Sequence, residues 1–257
     1  MDESRMDDSR LALVTGASSG IGAATARALD DAGISVIAAA RRVDRLEALA
    51  SERPRITPWE LDVTDQASID RLAGHLDGRA LDVLVANAGG AYDAEPIATA
   101  DVESWQRAYE VNVIGALRTI KAFLPNLEAS GQGLVVIMGS TAGHVVYETG
   151  GSYSAAKHAI AAMAGTLRLE LSGLPIRVTE IAPGMVRTDE FAITRFGGDV
   201  ERAAKVYEGV EKPLTADDVA QAIARVASLP SHVNIDRLVM RPVAQAAQHK
   251  VHRVIAP

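Results

Sequence analysis

The chain contains no cysteine, which excludes a disulfide framework, thiolate metal ligation and a thiol nucleophile. None of its six histidines stands in an HExxH pattern, and no metal centre is expected. Basic residues are outnumbered, 26 Lys and Arg against 33 Asp and Glu, for a net charge of -7. No block of about five or six like charges occurs, so the basic stripe of a nucleic-acid surface is missing. No uninterrupted apolar run approaches the roughly 18 residues of a membrane helix, and the first ten residues, MDESRMDDSR, lack the apolar core of an export signal. The chain is therefore expected to be cytoplasmic and to act on small molecules, with no nucleic-acid or membrane partner. Its chemistry must come from hydroxyls, amines and amides.

What the sequence does have is alternation. Short apolar runs (LALVT, ISVIAA, ITPWEL, LDVLVA, GLVVIMG, IRVTEIA and DRLVM) take turns with Ala/Leu/Arg-rich stretches over 20–32, 43–53, 65–76, 101–127, 152–172, 189–209 and 215–228. Continuously apolar strands suit parallel strands covered on both faces. A single-domain, Rossmann-type doubly wound α/β sheet of about seven parallel strands follows, with helices on both faces. Residues 1–10 are expected to be a disordered head, 11–245 the domain, and 246–257 a tail that is poorly ordered or bound to a partner.

The stretch LALVTGASSGIGAATARAL, residues 11–29, places a strand before three glycines and a helix after them. Gly16 allows a tight turn, Gly20 lets the backbone approach a pyrophosphate, and Gly22 lets the helix pack close to the sheet. The helix N-terminus, with Ser18, Ser19 and Ile21 around it, then faces an anion. A dinucleotide suits this context, although a purely structural turn would use the same glycines. An NAD site would place a carboxylate about twenty residues further on, to hold the ribose 2′-hydroxyl. Ala40, Arg41 and Arg42 stand there instead, and a guanidinium fork suits a 2′-phosphate. NADP is the expected cofactor, with Arg41 on its phosphate and Arg42 beside it opening a solvated helix.

In GSYSAAKHAI, Tyr153 and Lys157 are four apart and share a helix face. A phenol with a pKa near 10 is a poor base at neutral pH, but a neighbouring ammonium and a cationic nicotinamide both favour the phenolate. A lowering of about three units, worth about 4 kcal/mol, would make Tyr153 an acid/base near physiological pH.

TGASSGIG (15–22), LDV (61–63), NAG (87–89), VNVIG (111–115), GSTAG (139–143), YSAAK (153–157) and APGMVRT (182–188) together resemble the ordered motifs of the short-chain dehydrogenase/reductase family, from residue 11 to about 240. The thirteen-residue interval from Ser140 to Tyr153 matches that family's catalytic pair. The resemblance implies that Ser140 fixes the substrate oxygen, Tyr153 transfers the proton, Lys157 binds the nicotinamide ribose and lowers the tyrosine pKa, and Asn112 holds a water in a proton relay. It also implies that Asn87, Ala88 and Gly89 lie against the adenosine ribose, Asp62 and Val63 face adenine, and Pro183, Gly184 and Thr188 orient the nicotinamide carboxamide. Helices 101–127 and 152–172, apolar on more than one face, would pair across a two-fold axis in a dimer or tetramer.

From about residue 177 to 253 the chain resembles the branch of that family that oxidises 3-hydroxy acids such as serine with NADP. A carboxylate substrate needs a cation, and Arg187 and Arg195 follow Pro183, Arg195 being the better candidate. A ketone or aldehyde reductase of secondary metabolism is the alternative, and a non-catalytic NADP-binding sensor a third. His144 and His158 are expected to be incidental to the chemistry.

Overall fold

In the computed structural model, which describes residues 10–188 and 190–254, strands and helices alternate from β1 (Leu11–Thr15). They continue as α1 (Gly20–Asp31), β2 (Ser35–Ala40), α2 (Val43–Glu52), β3 (Ile56–Glu60), α3 (Gln66–His75) and β4 (Val83–Ala86). Next come α4 (Val102–Tyr109), α5 (Gly115–Ala129), β5 (Gly133–Met138), α6 (Gly151–Glu170), β6 (Ile176–Pro183), β7 (Val186–Arg187), α7 (Phe191–Arg195) and α8 (Val200–Lys205). The chain closes with β8 (Leu214–Thr215), α9 (Ala216–Ala227), β9 (Arg237–Met240), β10 (Gln245–Ala247) and β11 (Lys250–Val251).

Seven strands form one parallel sheet in the order β3-β2-β1-β4-β5-β6-β9. The order reverses between β1 and β4, so a crevice opens at their carboxyl ends, where open α/β sheets bind ligands. Alternation along each strand fixes the two layers. Ala12, Val14, Val83 and Val85 face a core closed by α1, α2 and α9. Leu11, Leu13 and Leu84 face the other core, against α3, α5 and α6. Phe123 of α5 is fully buried there, and truncating such a ring to alanine costs about 3–5 kcal/mol. Small residues on α1 (Ala24, Ala28) and α9 (Ala220, Ala224) let those helices lie close.

The differences from expectation have local causes. The stretch 101–127 is not one helix: α4 and α5 are joined by a π-helical segment, Glu110–Ile114, that contains Asn112. The stretch 189–209 divides into α7 and α8 because Gly197 and Gly198 take φ of 63° and 97°, which no helix continues through. Pro58 is accommodated within β3 because that strand is at the sheet edge. Residues 245–251, at the start of the expected tail, form the β10–β11 hairpin. Gln245 is buried there and accepts from the Met185 N–H at 2.8 Å, so the hairpin is fastened to the loop after β6. Of the expected head, residues 1–9 lie outside the described residues, while Arg10 donates to the Ala227 carbonyl at 3.0 Å.

Candidate active site

A cleft of about 950 Å³ runs along the carboxyl ends of the strands. Its floor is the glycine turn. Gly16 and Gly20 have φ of 67° and 52°, and a Cβ on Gly22 would be 2.2 Å from the Gly16 carbonyl oxygen. The turn can therefore close only with glycine at 22. Thr15 ties it to the neighbouring strand: its Oγ1 accepts from the N–H groups of Asn87 and Ala88, both at 3.0 Å, and its carbonyl accepts from Asn87 Nδ2 at 2.8 Å. The TGASSGIG and NAG motifs thus form one hydrogen-bonded unit at the switch point.

Asp62 and Val63 line the same cleft. Burial works against ionisation of Asp62, but the Thr64 N–H and O–H, at 2.9 and 2.8 Å, and the charge of Arg41 outweigh it and hold the carboxyl below its usual range. Arg41 is exposed on the cleft wall. Arg42 opens α2 as expected, at its N-cap, but its guanidinium is not left to solvent. Its guanidinium donates to Ser18 Oγ at 3.0 Å, to Ser19 Oγ at 2.9 Å, and to both carboxylate oxygens of Glu190 at 2.7 and 2.9 Å. Glu190 also accepts from Ser19 Oγ at 2.9 Å and from Arg45. Hydrogen bonding from Arg42 is the main reason its carboxyl is lowered to about 2.

Deeper in the cleft lie Ser140, Tyr153 and Lys157. Ser140, two residues beyond β5, caps a short 3-10 turn, Thr141–Gly143, by accepting from the Ala142 N–H at 3.1 Å. A Cβ on Gly143 would be 2.6 Å from the Lys157 carbonyl oxygen. That glycine therefore lets the serine turn sit directly on α6. Lys157 is buried; its Nζ donates to the Met138 carbonyl at 2.7 Å and is 5.6 Å from the centre of the Tyr153 ring. Burial lowers Lys157 to about 8, against the charge of Glu180, which raises it. Beneath this turn Glu180 is itself buried and held by His144 at 2.8 Å and Arg237 at 2.7 Å. His144 thus has a structural partner, and His158 Nδ1 pairs with the Ser154 carbonyl at 2.8 Å.

The expected lowering of Tyr153 by Lys157 is not what the protein's own groups produce. Burial dominates and pushes the phenol up, opposed by its hydrogen bond with Ser140 and the charge of Arg195. The Lys157 ammonium, 5.6 Å from the ring centre, donates to the Met138 carbonyl.

Asn112 is buried and does not line the cleft. Its Nδ2 donates to the carbonyls of Gly90 and Ala108, each at 2.8 Å, and its Oδ1 accepts from the Gly90 N–H at 3.2 Å. Gly89 leaves room for it, since a Cβ there would be 2.4 Å from Asn112 Oδ1. The side chain braces the NAG turn from behind, and π-helical segments such as the one holding it are frequent at functional sites.

At the far end, Pro183, Gly184 and Thr188 line the cleft, as does Arg195. Arg187 does not. It is exposed on β7, 5.7 Å from the centre of the Tyr207 ring. Arg195 lies over the Tyr147 ring at 5.3 Å and donates from Nη2 to the Thr149 carbonyl at 3.1 Å, while its buried Nε has no hydrogen-bond partner among the described residues. Thr149 has φ of 60°, alone among the described non-glycine residues in the left-handed region. Such strain persists where surrounding structure enforces it.

A model of the short chain dehydrogenase family matches residues 10–195. The chain belongs to that family. This dehydrogenase is 52% identical over 238 residues to an uncharacterized oxidoreductase of Mycobacterium tuberculosis strain H37Rv, covering 93% of each chain. It is 40% identical over 247 residues to an NADP-dependent 3-hydroxy acid dehydrogenase of Salmonella typhi, covering 95% of this chain and 99% of the relative. Among solved structures it is similar to the closed form of a serine dehydrogenase complexed with NADP+, with a TM-score of 0.89 and 38% identity, over 95% of this chain and 100% of that one. The fold is the expected Rossmann-type sheet, and the chain is an oxidoreductase. Among the described residues no helix is long and apolar enough to cross a membrane.

Sequence reasoning missed Glu190, Tyr147, Gln248 and Phe191 as cleft residues. Glu190 meets Arg42 across 148 positions, and no spacing rule signals so distant a pair. Thr141, the neighbouring hydroxyl, is occupied by Gln248 Oε1 at 2.8 Å.

Proposed function

We propose that this short-chain dehydrogenase uses NADP to oxidise a small 3-hydroxy acid in the cytoplasm. The observation that carries the substrate class is Arg195, a cation that lines the same cleft as Ser140 and Tyr153 and whose charge acts on the Tyr153 phenol. A carboxylate is the natural complement to such a guanidinium. The relative named an NADP-dependent 3-hydroxy acid dehydrogenase, alike over 95% of this chain, supports the same reading.

The cleft fits the cofactor. Glycine at 16, 20 and 22 leaves the backbone bare at the α1 N-terminus, where a pyrophosphate is stabilised, and Arg41 and Arg42 with Ser18 and Ser19 offer cationic and hydroxyl donors to a 2′-phosphate. Asp62, Val63, Asn87, Ala88 and Gly89 would hold the adenosine end, and Pro183, Gly184 and Thr188 the carboxamide. NADP, when bound, supplies the hydride acceptor and a positive ring charge.

The substrate loses hydride from C3 and a proton from its hydroxyl, becoming a 3-oxo acid. Ser140 holds the substrate oxygen, and its hydrogen bond to Tyr153 opposes the effect of burial on the phenol. Tyr153 takes the proton, while Lys157 keeps a positive charge beneath the ring. Asn112 holds the NAG turn rigid behind Gly89.

Exposed Tyr109, Leu117 and Leu169 on α4, α5 and α6 support a homo-oligomer, dimer or tetramer. Light scattering at micromolar concentration checks it, and a monomer contradicts it. For the activity, nicotinamide absorbance is followed with serine, 3-hydroxybutyrate and 3-hydroxypropionate against neutral alcohols, aldehydes and diketones. Turnover of at least one acid above the neutral alcohols is expected. Turnover confined to aldehydes and ketones would make it a general carbonyl reductase.

A further inference from the structure

The fork of Arg42 is already filled by an anion that belongs to the protein. Nη1 and Nη2 hold the two oxygens of Glu190, and the same carboxylate takes Ser19 Oγ and Arg45. Two guanidinium groups and a serine hydroxyl converging on one carboxylate make an anion seat, and Ser18 Oγ steadies Arg42 from its other side at 3.0 and 3.2 Å. The seat lies at the end of β2 beside the glycine turn, which is where a 2′-phosphate would reach. A phosphate monoester carries about -1.5 to -2 charges near neutral pH. It needs the same fork, and placing it beside a carboxylate would set like charges against each other. Glu190 and the 2′-phosphate therefore exclude one another at Arg42.

We infer that Glu190 is a tethered stand-in for the 2′-phosphate, displaced from Arg42 when NADP binds and left in place by NAD. The inference rests on the NADP reading above. Its consequence reaches the other end of the cleft, because Glu190 immediately precedes α7. On that short helix Phe191 meets the Tyr153 ring edge-on at 5.4 Å, and Arg195 lies over Tyr147. Freeing Glu190 thus releases the segment that shapes the substrate end, so that the same residue tunes cofactor choice and links it to the substrate pocket.

The test is equilibrium binding of NADPH, NADH, 2′,5′-ADP and 5′-AMP to the full-length wild type and to Glu190→Gln, by calorimetry without substrate. Glu190→Gln keeps the shape and removes the competing charge. It should tighten NADPH and 2′,5′-ADP by about tenfold and leave NADH and 5′-AMP within about twofold. Glu190→Ala, a second variant at this half-exposed position, should change affinities in the same direction. Weaker NADPH binding in both variants would mean that Glu190 clamps a bound cofactor, and unchanged binding would mean that it does not compete; either overturns the inference while leaving the NADP reading intact. Failure of wild type to prefer 2′,5′-ADP over 5′-AMP overturns both.

Discussion

Lys157 donates its ammonium to the main-chain carbonyl of Met138 at 2.7 Å, two residues before Ser140. The strand that leads to Ser140 and the helix that carries Tyr153 are thereby joined by a buried charge. Burial lowers Lys157 from 10.5 to about 8, with Glu180 opposing. The unfolded chain then binds more protons than the folded one between those values, so this group makes stability rise with pH across that window. Below about 8 both states carry the proton, and above 10.5 neither does. Urea midpoints measured from neutral to alkaline pH should show the rise in wild type and lose it in Lys157→Met. Glu180→Gln, which removes the opposing charge, should start the rise at lower pH.

Gly22→Ala should be severely damaging although it adds one methyl. The new Cβ would sit 2.2 Å from the Gly16 carbonyl oxygen and 2.6 Å from Asn87 Nδ2, and the first contact is backbone that cannot turn aside. A loss of about 1–3 kcal/mol is expected from the overpacking, together with loss of cofactor binding because the turn must shift. Thermal melts and NADPH titration of the same sample check both.

Asn112→Ala should weaken the site from behind. It leaves the Gly90 N–H and two carbonyls without their partner in a buried setting, and an unsatisfied buried group costs about 1–3 kcal/mol. The expected result is a lower melting temperature with NADPH affinity reduced through the NAG turn. An unchanged melting temperature would show that the bracing is dispensable.

Much of this was legible in the chain itself because the signals were local. Continuous apolar runs gave the parallel strands, the glycine spacing gave the turn at 16–22, and the interval between Ser140 and Tyr153 picked out two residues that line the same cleft. What escaped was tertiary. Arg42 reads as a solvated helix opener until Glu190 arrives from the segment between β7 and α7, and Arg187 reads like Arg195 until β7 turns it outward. The π-helical segment around Asn112 has no periodic signature, since its apolar spacing resembles an ordinary helix. The β10–β11 hairpin is too short to stand out, and depends on Gln245 reaching Met185.

Tyr153→Phe separates chemistry from binding. The ring and its edge-on contact with Phe191 remain, while the hydroxyl to which the proposed mechanism gives the substrate proton is gone. Turnover should fall by at least about 10²- to 10⁴-fold, the usual range for a positioned acid/base. NADPH affinity should stay within about twofold, read by the same calorimetry. Retained turnover would mean that another group moves the proton.

The carboxylate claim is tested most directly by kcat/KM for 3-hydroxybutyrate and for a neutral alcohol of similar size, in wild type and Arg195→Ala, with Arg187→Ala as the control outside the cleft. If Arg195 grips the carboxylate while Ser140 and Tyr153 grip the hydroxyl, Arg195→Ala should lower the acid-to-alcohol ratio by about tenfold or more, roughly 1.4 kcal/mol, and Arg187→Ala should leave it unchanged. A ratio that moves by less than about threefold in Arg195→Ala, roughly 0.6 kcal/mol, would contradict carboxylate recognition at this site.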